Sequence, residues 1–290
     1  MTNNKYANLY VNFLKKQANI RRPLKVVLDC SNGPAGLVLK RLKIPNSRFI
    51  ILNSRIDGRF PAHGPNPLEP HALKDAEKAV RRFGADIGVV FDADADRAVF
   101  IDNLGRMMPF YAATYLLSLE SKPPHVGDIY VAKTLEHLGL PRVYPSKVGT
   151  RNVKQAIKKL GASFGAEFSC HYFFRETKNA DSGILAVIKA LNALSKIPYT
   201  VAQFTDLIPE FHYEQFVKET KKPTALMKKI AKTYGKRALK IDRLDGYLFD
   251  FRDWFLIIRA SNTEPLLRFF VGSKDKKVFR KELKKLKLFA

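Results

Sequence analysis

Cysteine is nearly absent: Cys30 and Cys170 are the two among 290 residues, far apart in the chain. Stability from a disulfide framework is therefore not expected. Long apolar runs are missing too, and none approaches the roughly 20 residues of a membrane span. The opening Met1-Thr2-Asn3-Asn4-Lys5 leads into no signal-peptide core. A soluble, cytoplasmic protein with no membrane partner is the expectation. There is no internal repeat and no low-complexity linker. Acidic residues are few, 27 against 51 Lys and Arg, which leaves a net charge of +24.

What is present suffices for folding. Hydrophobic residues make up 46 %, with 21 Phe and 11 Tyr. That composition is not disordered and allows sizeable cores. The length suits two or three domains. Much of the excess positive charge lies late, from Lys221 to Lys240 and from Lys274 to Lys287. It interleaves there with Leu226, Ile230 and Ala231, and with Val278, Leu283 and Leu286. Such spacing marks the wet face of two amphipathic helices. A nucleic-acid surface is the competing reading, and it predicts affinity that falls steeply with salt.

The pattern divides into three expected domains, 1–105, 106–209 and 210–290. In the first, a strand over 24–28 feeds the turn Asp29-Cys30-Ser31-Asn32-Gly33-Pro34-Ala35-Gly36 and a helix over 37–42. A strand over 49–52, a helix over 70–83 and a buried strand over 86–91 follow. The second domain alternates again: helix 111–119, strand 129–132, helix 134–138, strand 142–144, helix 151–160 and a long apolar helix over 183–194. This alternation predicts two consecutive α/β layered domains with mixed, mostly parallel sheets. The third reads as helix 224–234, strands 239–243, 246–251, 254–260 and 266–271, then a last helix. That is a small α+β domain with an antiparallel sheet.

The buried strand ends in Asp92-Ala93-Asp94-Ala95-Asp96-Arg97. Three carboxylates at i, i+2 and i+4 can point to one side of a loop, where they repel one another. A hard divalent cation resolves that repulsion, and oxygen-only donors favour Mg²⁺ or Ca²⁺. The position also suits a ligand, which in open α/β sheets binds outside the strands' carboxyl ends. An EF-hand does not fit, because Arg97 and Asn103 stand where that loop needs Gly and Glu. A solvated acidic turn neutralised by Arg97 is the plain alternative.

Phe91 to Arg106, FDADADRAVFIDNLGR, resembles the metal loop of the α-D-phosphohexomutases, with Ala93 where Gly is usual. The likeness runs in the family's order from about Tyr6 to the C-terminus, nearest to the phosphomannomutase and phosphoglucomutase group. Asp29 to Gly36 and Phe60 to Pro70 match segments of the family's second domain. The resemblance implies that Asp92, Asp94 and Asp96 hold Mg²⁺ and that Arg97 sits near the phosphoryl group. Gly165 to Phe174 is similar to the family's sugar loop, with Ala166 and Cys170 replacing glycines. Glu167 and Ser169 would then meet adjacent sugar hydroxyls from an extended loop, with His171 close to the reacting end. Without the family, Glu167 and His171 read as surface polar residues. Lys147-Val148-Gly149-Thr150 resembles a K-x-G-H segment in which Thr150 replaces the His, leaving Lys147 as a catalytic candidate. Asp181-Ser182-Gly183 resembles the stretch that opens the long helix, with Asp181 a plausible N-cap.

Arg259-Ala260-Ser261-Asn262-Thr263-Glu264-Pro265 follows the family's R-x-S-G/N-T-E-P phosphate loop almost letter for letter. Arg259 can grip a phosphate through two charge-assisted bonds. Ser261, Asn262 and Thr263 would complete the cradle with hydroxyls and turn amides, and Arg268 would add positive field.

The family implies an enzyme that interconverts hexose 1-phosphate and 6-phosphate, of mannose or glucose. It works through a phosphoserine and a hexose 1,6-bisphosphate. That serine lies in a first-domain Ser-His-Asn-Pro motif, and no such run occurs in these residues. The stretch ahead of Leu24 is too short for another α/β domain. Three expectations stand: a serine domain on a separate polypeptide, a fragment of a larger product, and a non-catalytic sugar-phosphate binder. The intact aspartate trio favours the first.

Overall fold

The computed structural model describes residues 5–69, 71–261 and 264–289. In chain order the elements are α1 (Lys5–Gln17), β1 (Leu24–Asp29), α2 (Ala35–Leu39), β2 (Ser47–Leu52), α3 (Lys74–Phe83), β3 (Ile87–Phe91) and β4 (Ala98–Asp102). Then come α4 (Phe110–Ser118), β5 (His125–Asp128), α5 (Ile129–Leu138), β6 (Val143–Ser146), α6 (Thr150–Leu160), β7 (Phe164–Ala166), β8 (Tyr172–Phe174), α7 (Gly183–Leu194) and α8 (Val201–Asp206). The last are β9 (His212–Glu219), α9 (Pro223–Gly235), β10 (Lys240–Asp242), β11 (Tyr247–Asp250), β12 (Trp254–Ala260), β13 (Leu266–Ser273) and α10 (Lys276–Phe289). The class is the expected one, mixed α/β layering followed by an antiparallel sheet. By compactness the chain forms two units, residues 1–125 with 154–208, and residues 126–153 with 209–290.

The first unit carries a sheet ordered β2-β1-β3-β4. β1 runs parallel to β2 and β3, while β4 returns antiparallel to β3 with Phe91 opposite Ala98. β3 and β4 are buried at every position, as expected of apolar strands covered on both faces. α3 turns Ala76, Ala79 and Val80 inward and ends on Gly84, whose φ of 56° makes it a left-handed C-cap. α7 is buried along its whole length. Its N-cap is Ser182, which accepts from the Leu185 N–H, and not the expected Asp181.

In the second unit the sheet order is β10-β11-β12-β13-β9, antiparallel throughout. Period-two alternation splits its side chains between two faces. Leu256, Ile258, Phe269 and Val271 form one core with Ile230 and Tyr234 of α9 and Leu286 of α10. On the other face Tyr130 of α5 stacks on Phe270 at 4.8 Å, and His137 lies 5.1 Å from the Phe255 ring. Each large side chain so buried contributes about 1.5–3 kcal/mol.

Several boundaries differ from expectation. Residues 129–132 begin helix α5 and are not a strand. The strand precedes them as β5, and Asp128 caps the helix by accepting from the Val131 N–H. The helix expected over 37–42 occupies 35–39, and the one expected from 70 starts at Lys74. α1, β4, α8 and β9 were not expected at all.

Candidate functional site

The aspartate loop is the connection between β3 and β4, where a parallel strand hands over to an antiparallel one. Its carboxylates converge: ligand atoms of Asp92, Asp94 and Asp96 all lie within 4.8 Å of one another. Two other segments hold the loop. The Ala93 N–H donates to the Pro65 carbonyl, and the Gly183 N–H to that of Ala95. Two glycines also abut the loop closely. A Cβ on Gly33 would lie 2.2 Å from the Ala93 carbonyl oxygen, and one on Gly183 would lie 2.5 Å from that of Arg97. Ala93 has an ordinary φ; the left-handed residue is Ala95, at 63°. His63 Nε2 sits 3.3 Å from the buried Asp29 Oδ1.

The three acids are not equivalent. Asp92 is buried and receives Arg97 twice, from N–H at 3.1 Å and Nε at 2.7 Å. Burial pushes its carboxyl up, but the Arg97 bonds outweigh this and hold it below the usual range. Asp96 goes the other way: burial, then Asp92, Asp94 and Asp181, raise it to about 7. Its Oδ1 is buried and makes no hydrogen bond among the described residues, although His171 Nε2 is 3.3 Å away. Such an oxygen, in an all-carboxylate set, fits a hard divalent cation.

The sugar-loop segment is a tight β7–β8 hairpin, not an extended loop. The Glu167 N–H donates to the His171 carbonyl, and the Cys170 N–H donates back to that of Glu167. Cys170 occupies the left-handed position, φ 66°, where such turns favour glycine. The hairpin draws its polar side chains together. Ser169 Oγ lies 2.8 Å and Glu167 Oε2 3.6 Å from His171 Nδ1. Glu167 is 3 % exposed, and His171 is largely covered, so neither is the surface residue that composition suggests. Burial lowers the His171 pKa, favouring neutral imidazole. Backbone joins hairpin to aspartate loop through the Ala98 N–H on the Cys170 carbonyl. Asp181, expected only as a cap, has a ligand atom within 4.8 Å of those of Asp96 and His171, and it pairs with Lys154 at 3.2 Å. Its place beside Ser182 gave no sign of this.

In the second unit Arg259, the penultimate residue of β12, lies opposite Arg268 of β13, so both project from the α5-facing side of the sheet. Asp245 stands 3.6 Å from Arg259, and Glu264 pairs with Arg268 at 3.2 Å. The Ser261 N–H closes the hairpin on the Leu266 carbonyl. Asn262 and Thr263 lie outside the described residues. Lys147 is exposed, in the turn before α6. Asp245 escaped the sequence reading because one acid in a polar turn has no distinguishing pattern.

Three profiles of phosphoglucomutase/phosphomannomutase match the chain: alpha/beta/alpha domain II over residues 5–105, alpha/beta/alpha domain III over 125–211 and the C-terminal domain over 215–287. The chain belongs to this family. The phosphomannomutase of Escherichia coli K12 is 30 % identical over 288 residues, covering 91 % of this chain and 62 % of that protein. A phosphoglucomutase/phosphomannomutase family structure from Burkholderia thailandensis superposes with a TM-score of 0.85 at 24 % identity, covering 98 % of this chain and 63 % of that one. The N-acetylphosphoglucosamine mutase of Aspergillus fumigatus, solved with GlcNAc-6P and magnesium, has a TM-score of 0.65 at 14 % identity, with coverage of 98 % and 69 %. These likenesses show the fold. The chain thus spans about three fifths of the length of the curated relatives it matches. As a phosphohexomutase-family chain it holds the aspartate loop and the β7–β8 hairpin in one unit, and Arg259 and Arg268 in the other.

Proposed function

We propose that this chain supplies three domains, 1–105, 106–209 and 210–290, of a cytoplasmic phosphohexomutase acting on mannose or glucose phosphates. The observation that carries the reading is the intact carboxylate trio with an unsatisfied oxygen, backbone-bonded to a hairpin that buries Glu167 beside Ser169 and His171. A Mg²⁺ held by Asp92, Asp94 and Asp96 would supply charge stabilisation to a transferring phosphoryl group. Arg97 holds Asp92 ionised and adds positive field. Glu167 and Ser169 bind sugar hydroxyls. A neutral His171 can hold or pass a proton at the reacting end. Arg259, Ser261, Asn262, Thr263 and Arg268 bind the distal phosphate, fixing orientation, on which phosphoryl transfer chiefly depends, and Lys147 joins Arg97 and His171 as a catalytic residue. The sugar phosphate and magnesium named with the Aspergillus enzyme support this ligand class.

The phosphoryl-carrying serine comes from outside these residues, on a separate polypeptide, and hexose 1,6-bisphosphate is the intermediate and activator. The test is a coupled assay of hexose 1-phosphate to 6-phosphate conversion, with Mg²⁺ and bisphosphate. It is run on the chain alone and with a serine domain from a relative. Turnover only with the added domain is expected. No turnover, with sugar-phosphate binding still measurable by calorimetry, would leave a non-catalytic binder. Loss of both would end the reading.

A further inference from the structure

In the second unit three pieces of chain converge on one carboxylate. Asp245, in the turn between β10 and β11, accepts the Val148 N–H at Oδ2 over 3.0 Å. The same oxygen lies 3.6 Å from Arg259 Nε. Val148 follows Lys147 in a turn that the Asn152 side-chain amide closes by donating to the Val148 carbonyl, 2.7 Å. Gly246 makes the approach possible. Its φ is +82°, and a Cβ there would sit 2.2 Å from the Ile258 carbonyl oxygen and 2.9 Å from Arg259 Cα. Asp242 shapes the turn from its other end, accepting the Leu244 N–H at 2.7 Å.

A guanidinium guided at Nε keeps its two-nitrogen edge for an oxyanion. At 3.6 Å the Asp245–Arg259 contact is too long for a hydrogen bond, and Arg259 Nε makes none among the described residues. The carboxylate therefore steers Arg259 by charge, as an ion pair that takes no hydrogen bond from Nε. Its own place is fixed by the Val148 N–H. We propose that Asp245 is a positioning residue of the phosphate subsite, orienting Arg259 and tying the Lys147 turn to it. This rests on the phosphate reading of Arg259 above.

The experiment is calorimetric titration of inorganic phosphate into the chain and into Asp245→Ala, Asp245→Asn and Asp253→Ala, with a melting temperature for each. Asp253 is an exposed acid of the same unit and serves as control. Asp245→Ala is expected to bind about tenfold more weakly. Asp245→Asn, which keeps an acceptor for Val148, should lose about threefold at an unchanged melting temperature, and Asp253→Ala should lose nothing. If the Ala variant melts early, the Asn variant decides. Equal or tighter binding by both Asp245 variants would overturn the inference and leave the phosphate reading standing. A parent chain that binds no phosphate would overturn both.

Discussion

The aspartate loop crowds three like charges within 4.8 Å, whereas the β12–β13 hairpin sets each arginine beside one acid, Asp245 for Arg259 and Glu264 for Arg268. The first arrangement is held together from outside. Hydrogen bonds from Ala93 to Pro65 and from Gly183 to Ala95, with two glycine contacts, keep a self-repelling loop in place. The second is held by ordinary cross-strand pairing, with Arg259 in register with Arg268. A site built on repulsion demands a rigid frame and gains from a cation. One built on opposite charges needs only modest guidance. The two should therefore fail differently.

The largest separation comes from Arg259→Ala. Truncating one partner of a desolvated charge interaction costs about 2–5 kcal/mol. Glucose 6-phosphate affinity, read by calorimetry, should fall roughly a hundredfold, while Mg²⁺ affinity stays unchanged. A variant that lost Mg²⁺ binding equally would erase the distinction between the two regions.

Next is Gly183→Ala. The added Cβ would meet the Arg97 carbonyl oxygen at 2.5 Å and that of Ala95 at 2.9 Å. Overpacking of this kind costs about 1–3 kcal/mol. Thermal unfolding should show a melting temperature lower by several degrees, together with weaker Mg²⁺ binding and unchanged phosphate binding. An unaltered melting temperature would mean that the loop's frame is softer than its contacts imply.

Legibility in the sequence divided along the same line. Charge patterning announced the aspartate trio, and a run of identities announced Arg259 and Arg268. The fold class was readable because β1 and β3 are apolar blocks while β12 and β13 stand close together. What stayed hidden was long-range company. Asp181 meets Asp96 and His171 across the fold, and Asp245 meets Val148 from far along the chain. No local pattern encodes such pairings. α5 was misread at its start because Ile129, Tyr130 and Val131 are good strand formers. The Asp128 cap and burial against Phe270 override that preference.

The smallest effect is a pH dependence confined to the crowded loop. Asp96 titrates near 7 in the fold and near 3.9 in an unfolded chain. Between those values the folded protein holds a proton that the unfolded chain has released. The resulting stability is complete below about pH 4 and is lost as pH rises through about 7. Asp92 runs opposite, since its lowered pKa gives stability that is lost only on acidification. Asp96 is partly exposed, 36 % of its side chain, so its share is about 1 kcal/mol at most. His63, also raised, chiefly by Asp29, adds a loss of the same sign, so Asp96→Asn supplies the reference. Melting temperatures in EDTA at pH 5.5 and 8 should fall further for the parent chain than for the variant. Saturating Mg²⁺ should cancel that difference at pH 8, because the cation replaces the proton as the counter-charge. Equal slopes for the two proteins would mean that like-charge repulsion is already relieved by Arg97, and that the two regions are electrostatically alike.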